Sequence, residues 1–377
     1  MTTYHPLGEY IREVNVRNSD LKVTRLVGLT IDKAFIPSVA NVIGTDLSNY
    51  KVIRSEQFAC SLMQVSRDGK MPIAMFEGNE AIMSPAYPMF EIIDKTKLLP
   101  QYLMMWFSRS EFDREASYYA VGGVRGSLTW DDFCNMRLPV PPIARQREIV
   151  AEYATLTNRI RLNEQMIAKL EATAQALYRK MFVDGVDKEN LPEGWRMGTL
   201  GEYVELSQGI QVEVEDQSLV KHKGFNRFIR IIDYTPNSSE PPRYVNITNK
   251  RYFSTRDDVV VIRYGDAGTI CRRLEGIIAN NLFKVTPIKT ITRNYVYHFL
   301  KSEPIQKLIK NSAASSTMPA ITHKTIKELE CLVPSYFSMN EFDNNVNLIE
   351  KEICLKSEEN SKLIKLQSLL LAKIGTN

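Results

Sequence analysis

The chain has 377 residues, of which 44% are hydrophobic and 24% are charged, and its formal net charge is +4 at pH 7. This length allows two domains of ordinary size, and the absence of an apolar run long enough to cross a bilayer argues against a membrane protein. The N-terminus lacks the pattern of a secretory signal, and the five cysteines are scattered without a C-x-x-C pair. These features predict a cytoplasmic protein with buried, inert thiols and no zinc site.

An internal repeat is the main feature of the sequence. The segment Leu7-Gly8-Glu9-Tyr10-Ile11 returns 193 residues later as Leu200-Gly201-Glu202-Tyr203-Val204. The same separation links further pairs along the chain: Phe90 with Phe283, Tyr102 with Tyr295, Leu128 with Ile321, Phe133 with Ile326, and Val140 with Val333. The register is lost and then recovered between about residues 12 and 89, where a binding surface could vary. The pattern predicts a duplication, with two unrelated domains as the alternative.

The first half, residues 1–142, predicts mixed α and β structure. A short helix is predicted at residues 102–107, and Thr129 is expected to cap another helix whose first turn contains Asp131 and Asp132. The turn Arg67-Asp68-Gly69-Lys70 is expected to present two cations. The glycine-rich loop at residues 122–127 lacks the lysine and hydroxyl residue of a P-loop, which argues against a nucleotide site.

Residues 143–184 predict one long helix, because they contain neither glycine nor proline before Asp184. The apolar residues recur in steps of three and four, with Asn163 as a polar interruption, which is typical of a coiled-coil seam. The members of this seam are Ile149, Tyr153, Leu156, Ile160, Ile167, Leu170, Ala174, Leu177 and Met181. At about 1.5 Å per residue, the helix would extend over roughly 55 to 60 Å.

The second half, residues 194–336, follows a linker at residues 185–193 and repeats the mixed prediction. Strands are predicted at Val259–Ile262 and residues 283–285, and a short helix at residues 295–300. His298 lies in that helix and is expected to be packed. A second seam at residues 337–377 predicts another long helix; its apolar members are Phe342, Val346, Ile349, Ile353, Leu363, Leu370 and Ile374.

The two seams are expected to pack as an antiparallel coiled coil. Aligning Ile149 with Ile374 and Met181 with Phe342 places Asn163 opposite Asn360. Paired amides at one seam position fix the register of a coiled coil at some cost in stability. The alternative is that one or both asparagines face solvent on an imperfect helix.

The chain resembles the specificity subunit of type I restriction-modification systems. The resemblance covers essentially the whole chain and rests on the repeat and on four motifs in order: Gly126-Ser127-Leu128-Thr129, Pro139-Val140-Pro141-Pro142, Gln146-Arg147-Glu148-Ile149-Val150 and Leu191-Pro192-Glu193-Gly194-Trp195. The second half departs from the pattern, since it reads Val333-Pro334-Ser335-Tyr336 in place of the Pro-Pro-x-x-x-Gln form. The motif that precedes the first long helix is therefore missing before the second.

The resemblance implies an α+β fold of two target-recognition domains separated by two long helices. Each domain would read one half of a bipartite site in double-stranded DNA, while the helices set the spacer and dock two methyltransferase subunits. Restriction and translocase subunits would complete the complex. The chain itself would bind no cofactor, and the partner subunits would use S-adenosylmethionine, ATP and Mg to methylate adenine and to cleave DNA.

Candidate DNA contacts concentrate in residues 221–273, which hold eleven basic residues against five acidic ones. Basic, amide and tyrosine side chains can contact phosphates or base edges, although a solvated basic face is the alternative. The candidates in this half are Lys221, Lys223, Asn226, Arg227, Arg230, Lys250, Arg251, Tyr252, Arg263, Tyr264, Arg272 and Arg273. Those in the first half are sparser: Lys51, Arg54, Ser66, Arg67, Lys70 and Arg125.

The sequence offers little for catalysis. It lacks a glycine-rich cofactor motif with an acidic ribose ligand, the Asn/Asp-Pro-Pro-aromatic motif of adenine methyltransferases and a Walker lysine. The dispersed histidines predict no metal site, and Asp257-Asp258 is interpreted as the start of a strand. The leading prediction is therefore a non-catalytic DNA-recognition subunit. A self-contained DNA-modifying enzyme and a coiled-coil scaffold that binds only proteins remain the alternatives.

Overall fold

The computed structural model describes residues 4–38, 44–63, 65–121, 126–235, 238, 240–288, 290–314 and 320–374. The chain divides into two compact units. Unit 1 comprises residues 1–162 and 359–377, and unit 2 comprises residues 163–358. Both units mix helices and strands, which confirms the predicted mixed class.

The described residues of unit 1 form ten short strands and four short helices, together with part of each long helix. Its strands are β1 Tyr4–Pro6, β2 Ile11–Glu13, β3 Val27–Leu29, β4 Phe35–Pro37, β5 Lys51–Arg54, β6 Phe58–Cys60, β7 Ile73–Met75, β8 Glu80–Met83, β9 Met89–Ile92 and β10 Arg137–Pro139. Its helices are α1 Val65–Asp68, α2 Pro100–Phe107, α3 Ser110–Ala120, α4 Trp130–Asn135 and the part of α5 Ile143–Phe182 that ends at residue 162.

Unit 2 is built from a similar series of elements. Its strands are β11 Arg196–Thr199, β12 Val204–Gln208, β13 Asn226–Ile229, β14 Arg243–Val245, β15 Phe253–Ser254, β16 Val259–Ile262, β17 Ile270–Cys271, β18 Gly276–Ile278, β19 Leu282–Pro287 and β20 Glu330–Val333. Its helices are α6 Arg293–Lys301, α7 Glu303–Ala314, α8 His323–Lys327 and the part of α9 Tyr336–Ile374 that ends at residue 358, with the second part of α5. The predicted strand at Val259–Ile262 is confirmed, as are the short helices predicted near residues 102 and 295.

Each unit has a four-stranded sheet of the same order. In unit 1 the order is β2-β9-β6-β7, and in unit 2 it is β12-β19-β16-β17, with antiparallel pairing throughout. A two-stranded antiparallel sheet joins β1 to β10 in unit 1 and β11 to β20 in unit 2. Unit 2 adds a second four-stranded sheet, β14-β13-β18-β15, whereas unit 1 has the two-stranded pairs β3-β4 and β5-β8.

Equivalent internal hydrogen bonds recur in the two units. The Leu7 amide donates to the Met136 carbonyl at 2.8 Å, and the Leu200 amide donates to the Leu329 carbonyl at the same distance. The buried Tyr102 hydroxyl donates to the Pro139 carbonyl at 3.2 Å, while that of Tyr295 donates to the Leu332 carbonyl. Because buried hydroxyls need a partner, each tyrosine ties its short helix to the strand that closes the unit.

The glycines of the repeated Leu-Gly-Glu-Tyr segment are required by close packing. A Cβ atom at Gly8 would lie 3.0 Å from the Cβ atom of Cys134, and one at Gly201 would lie 2.9 Å from the Cβ atom of Lys327. These neighbours belong to α4 and α8 respectively. The repeated glycine therefore allows one turn of the chain to contact a short helix directly.

Helix capping follows the sequence. The Thr129 hydroxyl accepts a hydrogen bond from the Asp132 amide at 3.0 Å, with Asp131 and Asp132 in the first turn of α4, as predicted. Thr292 and Thr322 cap α6 and α8 in the same way. A side-chain oxygen at this position satisfies an amide that has no partner within the helix.

The two long helices contact each other within unit 1 through the middle of α5 and the second half of α9. Arg159 lies 2.6 Å from Glu359, and the Gln367 amide donates to the Thr157 hydroxyl at 2.8 Å. Ile149 and Ile374 belong to the same buried core. In unit 2, Ala174, Tyr178 and Phe182 of α5 share a core with Met339, Phe342 and Val346 of α9.

The two seam asparagines are both buried. Asn163 is 3% exposed and Asn360 is 9% exposed, so the alternative that one or both face solvent is wrong. The pairing of these two amides stays a prediction.

None of the helices described is long and apolar enough to cross a membrane.

Candidate nucleic-acid interface

Lys51 is a buried residue of unit 1. It is 6% exposed, and its ammonium donates a hydrogen bond to the Tyr87 carbonyl at 3.0 Å. Burial lowers the pKa of this lysine. The side chain is used inside the unit, beside the buried residues Val52 and Ile53 of β5, which argues against the DNA contact predicted for Lys51.

The other described cations predicted in unit 1 each lie beside a carboxylate. Arg54 lies 3.7 Å from Glu80 and Lys70 lies 3.2 Å from Asp32. Arg67 lies 2.7 Å from its neighbour Asp68 in the turn that was expected to present two cations. These exposed pairs leave each cation accessible but reduce the net charge that a phosphate would meet.

Ser66 and Arg125 are the remaining DNA contacts predicted in the first half. The Ser66 hydroxyl donates to the Gly126 carbonyl at 3.5 Å, so Ser66 holds the end of the glycine-rich loop against α1. Arg125 lies outside the described residues, and its predicted contact stays a prediction.

Arg272 and Arg273 are structural residues of unit 2. The Arg272 side chain is 4% exposed and forms an ion pair with Glu350, while its guanidinium stacks 3.7 Å from the centre of the Tyr297 ring. Arg273 pairs with Glu350 at 3.0 Å and also with Glu171. Arg272 is engaged by α6 and α9, and Arg273 by α5 and α9, of the same unit. These internal contacts argue against the DNA contacts predicted for the two arginines.

Burial and ion pairing act in opposite directions on this cluster. Burial lowers the pKa of Arg272. Burial would also lower the pKa of Arg273, but its hydrogen bonds with Glu350 raise it overall. Burial would raise the pKa of Glu171, but the hydrogen bond from Arg273 lowers it. The cluster is therefore a charged network that needs all of its members. Sequence reasoning missed the two glutamates, because they lie far along the chain from the arginines.

Arg227, Arg230 and Asn226 also form internal bonds in unit 2. Both arginines contact the buried carboxylate of Asp233, at 3.0 Å and 3.1 Å respectively. The Asn226 amide donates to the Ile247 carbonyl at 2.8 Å. These three residues hold β13 to its surroundings, and their predicted DNA contacts stay predictions. The arginines remain partly exposed, with 35% and 20% of their side chains accessible.

Arg263 and Tyr264 form a local stack at the end of β16. The Arg263 guanidinium lies 4.8 Å from the centre of the Tyr264 ring. Both residues are half-buried. Tyr264 also pairs with Ala320 in an isolated bridge, so the backbone of Tyr264 is anchored.

Four of the predicted cations are exposed and have no carboxylate within ion-pair distance among the described residues. They are Lys221, Lys223, Lys250 and Arg251. Here they are called the open cations. Arg251 lies over the neighbouring Tyr252 ring, 5.8 Å from its centre.

Strand pairing brings the two pairs of open cations to one region of unit 2. Asn226, three residues after Lys223, is opposite Val245 in the β13–β14 pairing, and its side chain bonds to the Ile247 carbonyl. Lys250 follows three residues later in a short 3₁₀ helix, Lys250–Tyr252. Unpaired cations on neighbouring loops are suited to contact phosphates.

The described residues show no centre for metal or thiol chemistry. No group of three or more His, Cys, Asp or Glu side chains in the described ranges could hold a metal ion. The five cysteines are free. Burial raises the pKa of Cys271 and Cys331 to about 12, so these thiols lack the lowered pKa of a catalytic cysteine. His298 is 2% exposed, which confirms that it is packed.

Comparison with known proteins gives a consistent set of similarities. Residues 192–339 match the type I restriction modification DNA specificity domain. Over 368 residues the chain is 20% identical to the protein named "Putative type I restriction enzyme MjaX specificity subunit" from Methanocaldococcus jannaschii, with 90% of this chain and 82% of that protein covered. The crystal structure of the type I restriction-modification system S subunit from M. genitalium has a similar fold. It is 15% identical, covers 100% of this chain and 96% of its own, and has a TM-score of 0.58.

Proposed function

The chain contains a type I restriction modification DNA specificity domain, and from this premise we propose that it is the sequence-specific DNA-recognition subunit of a type I restriction-modification complex. The specificity subunits of this family are non-catalytic by themselves. The chain would direct the chemistry of its partners by choosing the DNA that they meet.

We propose that the target is bipartite and that each unit reads one half of it. The recurring bonds from Leu7 to Met136 and from Leu200 to Leu329 support an internal duplication with an offset of 193 residues. The matching sheet orders β2-β9-β6-β7 and β12-β19-β16-β17 support it as well. A duplicated scaffold presents two comparable binding surfaces, which is the simplest way for one chain to read two half-sites. The target-recognition domains would be residues 1–142 and 194–336.

The long helices would form the antiparallel coiled coil that sets the spacer between the half-sites. The contacts of α5 with α9 within each unit support antiparallel packing, and the burial of Asn163 and Asn360 supports their proposed role in fixing the register.

The helices would also dock two methyltransferase subunits. In unit 1, a groove of about 510 Å³ lies between α5 and α9 and is lined partly by Leu156, Leu366 and Leu369. Leu366 is 50% exposed and Leu369 is 61% exposed. Exposed leucines of this kind are typical of protein contact surfaces. The methyltransferase and restriction subunits would use S-adenosylmethionine, ATP and Mg, with no cofactor held by this chain.

The open cations of unit 2 are the main structural support for DNA binding. They lie within the matched domain, and no ion pair within the described part of the unit neutralises them. By contrast, Arg272 and Arg273 of the same basic segment are engaged internally. We therefore assign phosphate contacts of the second half-site to Lys221, Lys223, Lys250 and Arg251.

The proposal is tested by measuring DNA binding of the full chain together with its methyltransferase partner. We expect tight binding that prefers one sequence over random duplexes. The affinity should fall with increasing salt, and the slope of log K against log salt should be about −0.9 for each phosphate contacted. Equal affinity for all sequences would contradict specificity, and no DNA binding would favour a scaffold that binds only proteins. Methylation of DNA by the isolated chain would favour a self-contained enzyme.

A further inference from the structure

A polar concavity of about 740 Å³ lies beside the open cations of unit 2. It is bounded on one side by residues 211–218 with His222 and Phe225, and on the other by residues 245–247. The side chains that line it include Gln211, Glu213 and Asn246. The concavity therefore combines hydrogen-bonding groups with a rim that carries Lys221 and Lys223.

The walls of this concavity are held by main-chain and side-chain bonds. Ser218 and Tyr244 exchange both of their backbone hydrogen bonds, at 2.9 Å and 2.8 Å, so the loop pairs with the edge strand β14. The Gln217 amide donates to the Val212 carbonyl at 2.9 Å. A loop fixed in this way can present side chains in a defined geometry, as direct reading of bases requires.

The amide side chains in and beside the concavity fall into two groups. Those of Gln217 and Asn226 donate to main-chain carbonyls of the same unit. Those of Gln211 and Asn246 are exposed and have no hydrogen bond to any described residue. Gln211 and Asn246 can therefore offer both their donor and their acceptor to a ligand.

The charges favour base edges over phosphates inside the concavity. Glu213, Glu215 and Asp216 line it and would repel a phosphate group. The open cations lie on the segments that leave its walls, at positions 221, 223, 250 and 251. If the cations bind the DNA backbone, the base edges in the major groove face the concavity. Their exocyclic amino groups can then contact the amides and carboxylates that line it.

We propose that Gln211 and Asn246 are specificity-determining residues that read adenine in the major groove of the half-site bound by unit 2. This inference rests on the proposed function. An amide matches the adenine edge, because its oxygen accepts from the N6 amino group while its nitrogen donates to N7. Loss of such a bidentate contact costs about five- to a hundredfold in discrimination against other bases.

The test uses the full chain with its methyltransferase partner, a randomised duplex library and the variants Gln211→Ala and Asn246→Ala. We expect each variant to lose an adenine preference at one position of one half-site, by about five- to a hundredfold, with the salt dependence unchanged. Asn246→Asp should move the preference at its position from adenine toward cytosine, because a carboxylate accepts from the cytosine amino group.

Two controls separate base reading from other roles. Asn344→Ala removes an exposed amide from α9 and should leave all preferences unchanged. Lys223→Ala should weaken binding to all sequences alike and reduce the salt slope by about 1. The inference would be overturned if the adenine preferences persisted in both amide variants or if the half-site contained no adenine. It would also be overturned if the amide variants lost affinity for all sequences alike, as expected for Lys223→Ala. A wild-type complex without any sequence preference would instead overturn the proposed function.

Discussion

Unit 1 and unit 2 share a scaffold, but their candidate cations differ in burial and in whether a carboxylate lies beside them. In both, a leucine amide of the repeated segment bonds to the chain just before the closing strand at 2.8 Å, and a buried tyrosine ties a short helix to that strand. In unit 1, every described cation that was predicted to contact DNA is buried or lies beside a carboxylate. In unit 2, four remain open.

The difference shows that scaffold and binding surface follow different rules. The scaffold depends on main-chain bonds, buried aromatic rings and two glycines, which a fixed offset preserves. The surface depends on whether a cation finds a carboxylate, and that partner can come from anywhere in the fold. The same basic segment of unit 2 therefore contains both structural arginines and open cations.

The largest effect is expected from removing the carboxylate shared by the structural arginines. Glu350→Gln would leave Arg272 and Arg273 without a full counter-charge in a mostly buried cluster, so we expect a loss of about 3–5 kcal/mol in the free energy of unfolding. Denaturant unfolding of the full chain measures it. The matched control is Glu358→Gln on the same helix, whose exposed pair with Arg256 should contribute less than about 1 kcal/mol. Equal effects in the two variants would contradict a structural role for Arg272 and Arg273.

A smaller effect is expected where the repeated glycines contact their helices. Gly201→Ala brings its Cβ atom within 3.0 Å of both side-chain and main-chain atoms of Lys327, whereas in Gly8→Ala the nearest main-chain atom lies at 3.4 Å. Overpacking of this kind costs about 1–3 kcal/mol, with the larger loss expected for Gly201→Ala. Thermal unfolding compares the two. Variants as stable as the parent chain would show that the close approach is not needed.

Unit 2 should also carry a pH dependence through His298. Burial, with Arg272, Lys301 and Arg273 nearby, lowers the pKa of His298 to about 3, below its unfolded value of about 6.5. Its contribution to stability is therefore present above pH 6.5 and is lost as the pH falls toward 3, at up to about 1.4 kcal/mol per pH unit.

The variant His298→Asn isolates this contribution. Its amide can replace the ring nitrogen that contacts Gln175 at 2.9 Å, but it does not titrate. We expect a lower free energy of unfolding at pH 7 because of lost packing, and a shallower decline between pH 6.5 and pH 4 than in the parent chain. Urea titrations across this range provide the measurement. Parallel declines in the two proteins would rule out His298 as the source.

The smallest effect is expected from replacing a single exposed cation and measuring the salt dependence of DNA binding. This measurement compares the open cations of unit 2 with the paired cations of unit 1. Lys250→Ala should reduce the slope of log K against log salt by about 1, because it removes a phosphate contact. Arg67→Ala should change the slope by less than half as much, because Asp68 already lies 2.7 Å from that guanidinium. The full chain with its methyltransferase partner is titrated with DNA at several salt concentrations. A larger change for Arg67→Ala would reverse the assignment of open and neutralised cations.

The sequence predicted the regular features because their causes are local. A stretch without glycine or proline predicted a helix at residues 143–184, and the helix spans Ile143–Phe182, ending near Gly185, which has a φ of +72°. Thr129 predicted a cap from its position alone. The second helix begins at Tyr336 despite the missing Pro-Pro-x-x-x-Gln form.

The partners of the cations were not predictable, because they depend on residues distant in sequence. Arg272 lies 78 residues from Glu350, and no pattern in the basic segment distinguishes it from Lys250. Lys51 gave a weak signal, since it precedes Val52 and Ile53 in a strand that is buried on both faces. Gln211 lies outside the basic segment and approaches Asn246 only because its loop pairs with β14.

The claim that each unit reads its own half-site is tested most directly by exchanging the variable part of one unit. Residues 12–89 are replaced by the equivalent stretch of another specificity subunit, and the target of the full complex is determined from a random duplex library. The account predicts that one half of a bipartite target changes, while the other half and the spacer stay as they were. A change in both halves, or in the length of the spacer, would contradict it.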